Sequence, residues 1–207
     1  MASSSLAPAF LLSMPQMLDP NFTRSVILLC KHSEDKGAFG LVVNRPLVTT
    51  GRVVVNLDPP LETERELQVW VGGPVEPQRS WILVGDDSWD RRQPRSSRTG
   101  LEATEDDDVE TIGLRGMRIA DGLYLSTDPD LLRRLLEPVP PPRARLIVGY
   151  SGWGPGQLEE ELQASAWLMS DIDRDVIFNT PPEKMWESAI RRLGADPAAL
   201  QMSRGVH

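Results

Sequence analysis

A succession of short apolar runs, each cut off by turn-forming residues, constrains this chain more than any other feature of its sequence. LAPAFLLS, SVILLCK, GAFGLVVN, LQVWVGG and SWILVGD are rich in Val, Ile, Leu and aromatics. Asp19-Pro20-Asn21, Lys36-Gly37 and Gly72-Gly73-Pro74 interrupt them. They read as strands, several close enough in sequence to pair as antiparallel neighbours. GLYLST and ARLIVGYS predict two later strands and DVIFN a short one. MASSSLAPAFLLSMP has no basic n-region and too short an apolar run to span a membrane, so it reads as the first strand.

Helical patterns gather toward the C-terminus. DPDLLRRLLE, after Ser126 and Thr127, carries acids first and arginines later, as the helix dipole favours. QLEEELQASAWL sets Leu158, Leu162 and Ala166 on one face. Thr180-Pro181-Pro182-Glu183 reads as a capping box, Gly194 as a stop, and Met185, Trp186, Ala189, Ile190 and Leu193 as the buried stripe between them. Residues 86–110 differ: Arg91, Arg92, Arg95 and Arg98 precede Glu102, Glu105, Asp106, Asp107, Asp108 and Glu110, with few apolar residues. That segment reads as a mobile, solvated charged loop, with a partner-docking arm as the alternative. Strands and helices interleave too irregularly for a doubly wound sheet, so the class is α+β, one compact domain over residues 1–207.

Composition narrows function. The 207 residues are 40% hydrophobic and 25% charged, a globular balance, and carry a net charge of −8 that disfavours nucleic-acid binding. Cys30 is the single cysteine, so no intramolecular disulfide is possible, which fits a reducing compartment; cytoplasmic location is the expectation. No stretch approaches a transmembrane span.

Gly149-Tyr150-Ser151-Gly152-Trp153-Gly154-Pro155-Gly156 lies between an expected strand and an expected helix, where an anion or a nucleophile could sit. A hydrolase elbow, G-x-S-x-G, fits at Gly149 and Ser151 but fails at Trp153, and the only downstream histidine is His207. A Walker motif is absent, and Gln157 stands where the third glycine of a dinucleotide fingerprint would follow Gly152 and Gly154. Glu159, Glu160 and Glu161 would repel an added anion. The other readings are a tight turn that docks Trp153 on the core and a small-ligand site, and the Ser151 hydrolase stays open as a third because chain order does not remove His32. Alternation in SVILLCKH puts Val26, Leu28, Cys30 and His32 on one face, with Ile27, Leu29 and Lys31 on the other. Cys30 reads as a buried hydrophobe, or as a reactive thiol if Lys31 or His32 lowers its pKa. Two histidines and one cysteine cannot build a structural zinc site, and the 106–108 aspartates lack calcium-loop spacing.

FLLSMPQMLDPNFTRSVILLCKH, GAFGLVVNRPL, VWVGGPVEP, GYSGWGPGQLEEEL with ASAWL, and the LGADP exit of the last long helix occur in an order that resembles the YqgE/AlgH family of bacterial proteins. The resemblance covers nearly the whole chain apart from residues 86–110. It implies a compact α+β domain with a mixed or antiparallel, barrel-like sheet and flanking helices. On function it implies little: the family is named for a proposed transcriptional regulator of exopolysaccharide synthesis, and most members have no established activity. Family-pattern positions present here include Cys30, His32, Asn44, Arg45, Gly72, Gly73, Pro74, Gly149, Trp153, Gly154 and Gly156. The chain departs where members often carry a histidine after the GGPV strand; Val84 stands there.

No catalytic set, metal site or cofactor is expected. The candidate ligand or redox positions are Cys30, His32, Asn44, Arg45, Ser151, Gly152, Trp153 and Gly154. The leading reading is a non-enzymatic regulatory or small-ligand-binding protein with a small-ligand or protein partner. The alternative is a thiol-dependent redox sensor or enzyme using Cys30.

Overall fold

A computed structural model describes residues 5–48, 67–85, 109–137 and 143–202. The chain divides into two compact units, residues 1–45, 71–77 and 149–207 in one and residues 46–70 and 78–148 in the other.

In the first unit, β1 (Ala9–Ser13), β2 (Val26–Ser33), β3 (Gly37–Val42) and the end of β8 (Ala144–Trp153) form an antiparallel ladder, with β9 (Trp167–Ser170) beside β1. Helices α3 (Gln157–Gln163), α4 (Arg174–Asn179), α5 (Pro182–Arg192) and α6 (Pro197–Met202) follow β8. One face of the ladder buries Leu11, Ile27, Leu29, Val42, Trp153 and Trp167 together with Leu158 of α3. Trp186 of α5 is buried, and its indole N–H donates to the Ser13 carbonyl at 2.9 Å.

In the second unit, β6 (Met117–Ala120), β7 (Leu123–Ser126) and β5 (Val75–Val84) pair antiparallel, and β4 (Val69–Val71) begins here. Helix α2 (Pro129–Leu135) is capped by Asp128, whose carboxylate accepts from the Asp130 N–H at 2.9 Å. Leu131, Leu132 and Leu135 pack with Val69, Ile82, Val84, Tyr124 and Leu146. Neither ladder closes on itself. The α+β class expected from the sequence is the observed one, and the sheet is open and antiparallel.

Several local expectations are overturned. Helix α3 stops at Gln163, and Trp167-Leu168 form β9 instead of continuing it. Ser165 takes φ +57°, the Ser165 N–H reaches the Leu162 carbonyl, and the Ala166 N–H reaches that of Glu161, which is a Schellman stop without its usual glycine. DVIFN is helical in α4 because Asp173 caps it, accepting from the Asp175 N–H at 2.7 Å. The capping box fails: Pro181 is the N-cap of α5 and makes no side-chain cap, while the Thr180 hydroxyl donates to the Asp175 carbonyl. Gly194 does stop α5, at φ +75°, but Leu193 is 41% exposed and leaves the buried stripe. Strand β6 had no sequence signal. Of the charged segment 86–110, residues 86–108 lie outside the described residues, and 109–110 open helix α1 (Val109–Arg115).

Candidate functional site

Strand β2 organises the candidate residues, and a bulge changes their facing. Leu29 pairs with Gly40, Lys31 with Phe39 and His32 with Ala38, so Cys30 is the extra residue. Counting through β3, His32 shares the face of Ile27 and Leu29, and Lys31 shares that of Leu28. Strict alternation would have placed them the other way. The rows continue into β8, where Ala38 pairs with Trp153, Phe39 with Gly152 and Gly40 with Ser151. His32, Ala38 and Trp153 therefore stand in one row on the face that α3 covers.

Helix α3 supplies polar partners to that row. The His32 ring is buried; its Nδ1 accepts from the Leu6 N–H at 3.2 Å, so Nε2 carries the proton given to Glu159 Oε1 at 2.6 Å. Two turns of contacts tie the Gly-Trp-Gly segment down. The Trp153 indole N–H donates to Glu161 Oε2 at 2.9 Å, and that of Trp167 to the same oxygen at 2.7 Å. Gln157 Nε2 donates to Glu161 Oε1 at 2.8 Å, while Gln157 Oε1 accepts from the Gly154 N–H at 3.0 Å. The two indoles meet edge to face with centroids 6.1 Å apart.

Ser151 is fully buried, and its hydroxyl donates to the Gly72 carbonyl at 3.1 Å. The Gly72-Gly73 backbone is held so close that a Cβ on Gly73, at φ +149°, would sit 2.3 Å from the Tyr150 carbonyl oxygen. Tyr150 donates to Glu76 Oε1 at 3.1 Å. Gly152 and Gly154 are exposed.

Asn44 and Arg45 serve the opposite end of β2. Asn44 Oδ1 accepts from the Val26 N–H and its Nδ2 donates to the Arg24 carbonyl, each at 2.9 Å. Arg45 donates to the carbonyls of Pro20 at 2.6 Å and Thr23 at 2.8 Å, a two-pronged hold on the loop after β1. Burial lowers the Arg45 pKa and the nearby Asp19 raises it, the first effect being the larger. Val26 and His32 are six residues apart on one strand, about 20 Å at the usual rise. The structure thus groups His32, Ser151 and Trp153 at one end of β2 and Asn44 with Arg45 at the other.

Cys30 is 5% exposed, and its thiol points to the Leu28 carbonyl at 3.4 Å. Burial pushes the thiol well above its ordinary pKa, so it is protonated at neutral pH. Sequence reasoning missed Gln157, Glu159 and Glu161 as partners of this region, because a glutamate run at a helix start reads as dipole compensation. It also missed Arg145 in the second unit, which is buried with its guanidinium 3.8 Å from the Trp70 ring centroid; burial lowers its pKa to about 10. Among the described residues, no group of three His, Cys, Asp or Glu side chains could hold a metal ion. No helix of the described residues is long and apolar enough to cross a membrane.

A family model described as AlgH-like matches residues 10–198. A UPF0301 protein of Myxococcus xanthus is 40% identical over 205 residues, 98% of each chain. One from Paracoccus denitrificans is 39% identical over 206 residues, 98% of this chain and 97% of the relative. The solution structure of the AlgH protein from Pseudomonas aeruginosa superposes with a TM-score of 0.63 at 30% identity and covers 100% of both chains. A crystal structure from Corynebacterium diphtheriae, at 21% identity and a TM-score of 0.59, covers 97% of this chain and 91% of its own and shares the fold.

Proposed function

The chain belongs to the AlgH-like family, and on that premise we propose that it is a non-enzymatic regulatory protein acting in the cytoplasm by binding a small ligand or a protein partner. One observation carries the reading. The side chains best suited to chemistry in the first unit are committed to holding its own backbone and indoles. Ser151 donates to a carbonyl in full burial, Arg45 and Asn44 grip the loop after β1, and His32 has a partner on each ring nitrogen. A nucleophile needs a base within reach and room for a substrate, whereas Ser151 is fully buried with its hydroxyl donated to the Gly72 carbonyl. Cys30 fares no better, since the thiolate is the reactive form and burial suppresses it.

What the Gly-Trp-Gly segment presents outward is Gly152, Gly154 and Pro155, with Gly152 close to the exposed Val75. Such a surface suits recognition by shape. The net charge of −8 favours a ligand or protein partner over nucleic acid.

The decisive measurement pairs two assays on the folded protein. A serine-directed fluorophosphonate and a thiol alkylator should leave Ser151 and Cys30 unmodified, and stoichiometric labelling of either would overturn the non-enzymatic reading. A thermal-shift panel of nucleotides, sugar phosphates and low-molecular-weight thiols then seeks the ligand. A specific binder at a hundred times its dissociation constant adds about 2.7 kcal/mol, a shift of roughly 5–10 °C in a domain this size.

A further inference from the structure

The His32 ring lies at the junction of three elements, and its two nitrogens are used differently. Nε2–H donates to Glu159 Oε1 at 2.6 Å, from α3, and Nδ1 accepts the Leu6 N–H at 3.2 Å, from the segment 5–8 that leads into β1. The same segment makes a second contact with the same residue: the Ser5 hydroxyl donates to the His32 carbonyl at 3.2 Å. Leu6 and Ala7 pack against the apolar face that carries Leu11, Leu29 and Trp153. The attachment of this segment to the end of β2 therefore runs through His32.

Nδ1 can hold the Leu6 amide only as a bare lone pair. A proton there turns the acceptor into a donor aimed at another donor, while Nε2–H keeps its carboxylate and gains an ion pair. Among the described residues the groups around the ring add nothing that resolves it. Glu159 is the charged side chain bonded to it, Lys31 lies on the opposite face of β2, and the row-mates from β3 and β8 are Ala38 and Trp153.

The geometry points to a proton-operated latch: with Nδ1 unprotonated, His32 clasps the Leu6 amide to the end of β2, and protonation at Nδ1 releases that amide while the contact with Glu159 holds. Release frees the Leu6 amide at the entry to β1, while the Ser5 contact and the apolar packing of Leu6 and Ala7 remain. The device stands whether or not the protein binds a small ligand.

The test uses the full chain labelled with nitrogen-15. Imidazole nitrogen shifts report the tautomer and the titration of His32, and hydrogen exchange reports the Leu6 amide, corrected for the intrinsic pH dependence of exchange. The expected result is the Nε2–H tautomer at a pH of about 7.5, with Leu6 protected. As pH is lowered until the ring nitrogens report the doubly protonated form, Leu6 protection should fall about tenfold, the scale of one lost hydrogen bond, while Leu28 in the same strand stays protected. Glu159→Gln removes the charge that favours the imidazolium, so both transitions should move together to lower pH. A ring that titrates with Leu6 protection unchanged, an Nδ1–H tautomer at neutral pH, or a ring that stays neutral over the whole range would each overturn the latch.

Discussion

The turn after β8 and the loop after β1 are both built from polar residues that the sequence offers as chemistry, yet they are held in opposite ways. At the β8 turn the hold is buried. Trp153 and Trp167, each less than a tenth exposed, give their indole protons to one carboxylate oxygen of Glu161, and Ser151 closes onto Gly72 in full burial. At the loop after β1 the hold is a half-exposed guanidinium, Arg45, donating to two carbonyls, with Asn44 bridging Val26 and Arg24. A buried donor stripped of its acceptor has no water to turn to, whereas loop carbonyls near the surface do. The same number of hydrogen bonds should therefore count for more at the first region than at the second.

The largest effect tests how rigid the buried region is. Gly73→Ala places a Cβ 2.3 Å from the Tyr150 carbonyl, main chain that cannot swing aside, and forces φ +149° on an L-residue. A loss of about 3–5 kcal/mol is expected in denaturant unfolding. Gly156→Ala, with nothing within 4 Å of the new methyl and only its φ of +72° to oppose it, should cost about 1–2 kcal/mol. Equal losses would mean that the Gly72-Gly73 backbone is not packed as described.

Glu161→Leu removes the shared acceptor of two indoles and should cost about 2–4 kcal/mol, with a change in tryptophan fluorescence from the altered environment of both rings. Glu161→Gln keeps an acceptor oxygen and should lose less. If the two variants unfolded alike, the indole bonds would contribute little and the contrast between the regions would fail.

Arg45→Lys is expected to be the mildest, about 1 kcal/mol, because an ammonium cannot span two carbonyls but water can take its place. The readout is a chemical-denaturation midpoint with unchanged m-value. A loss larger than that of Glu161→Leu would reverse the ranking and place the firmer hold at the loop.

Particular residues show where sequence reading succeeded. The runs from Ala9 to Val42 were legible as strands because β-branched and aliphatic residues cluster between turn formers, and Gly194 marked its helix end because the chain needs φ > 0 there. Asp173 could have announced α4, since an aspartate three residues before an apolar run is an N-cap signal, but VIF has strong β propensity and masked it. Ser165 could not have announced the end of α3: a serine in the left-handed region is paid for by the backbone bonds from Ser165 and Ala166, which the sequence does not display. For the candidate site, the composition of GYSGWGPG was right as a signal of something tightly built. The role of its residues was not readable, because Glu161 meets Trp153 and Trp167 only once α3 has folded back on the sheet.

By itself the sequence determined the α+β class, the positions of most strands, the presence of α2 and the stop of α5. All of these follow from local patterns of apolar periodicity and backbone preference within a few residues. The tertiary structure alone decided that Cys30 is a bulge, that His32 turns to the face of Leu29, and that Ser151, Arg45 and Asn44 serve the backbone. Each outcome depends on a partner on another element, from six residues away for His32 and Ala38 to 79 for Ser151 and Gly72. Facing and hydrogen-bond satisfaction are properties of pairs, and only the folded chain brings those pairs together.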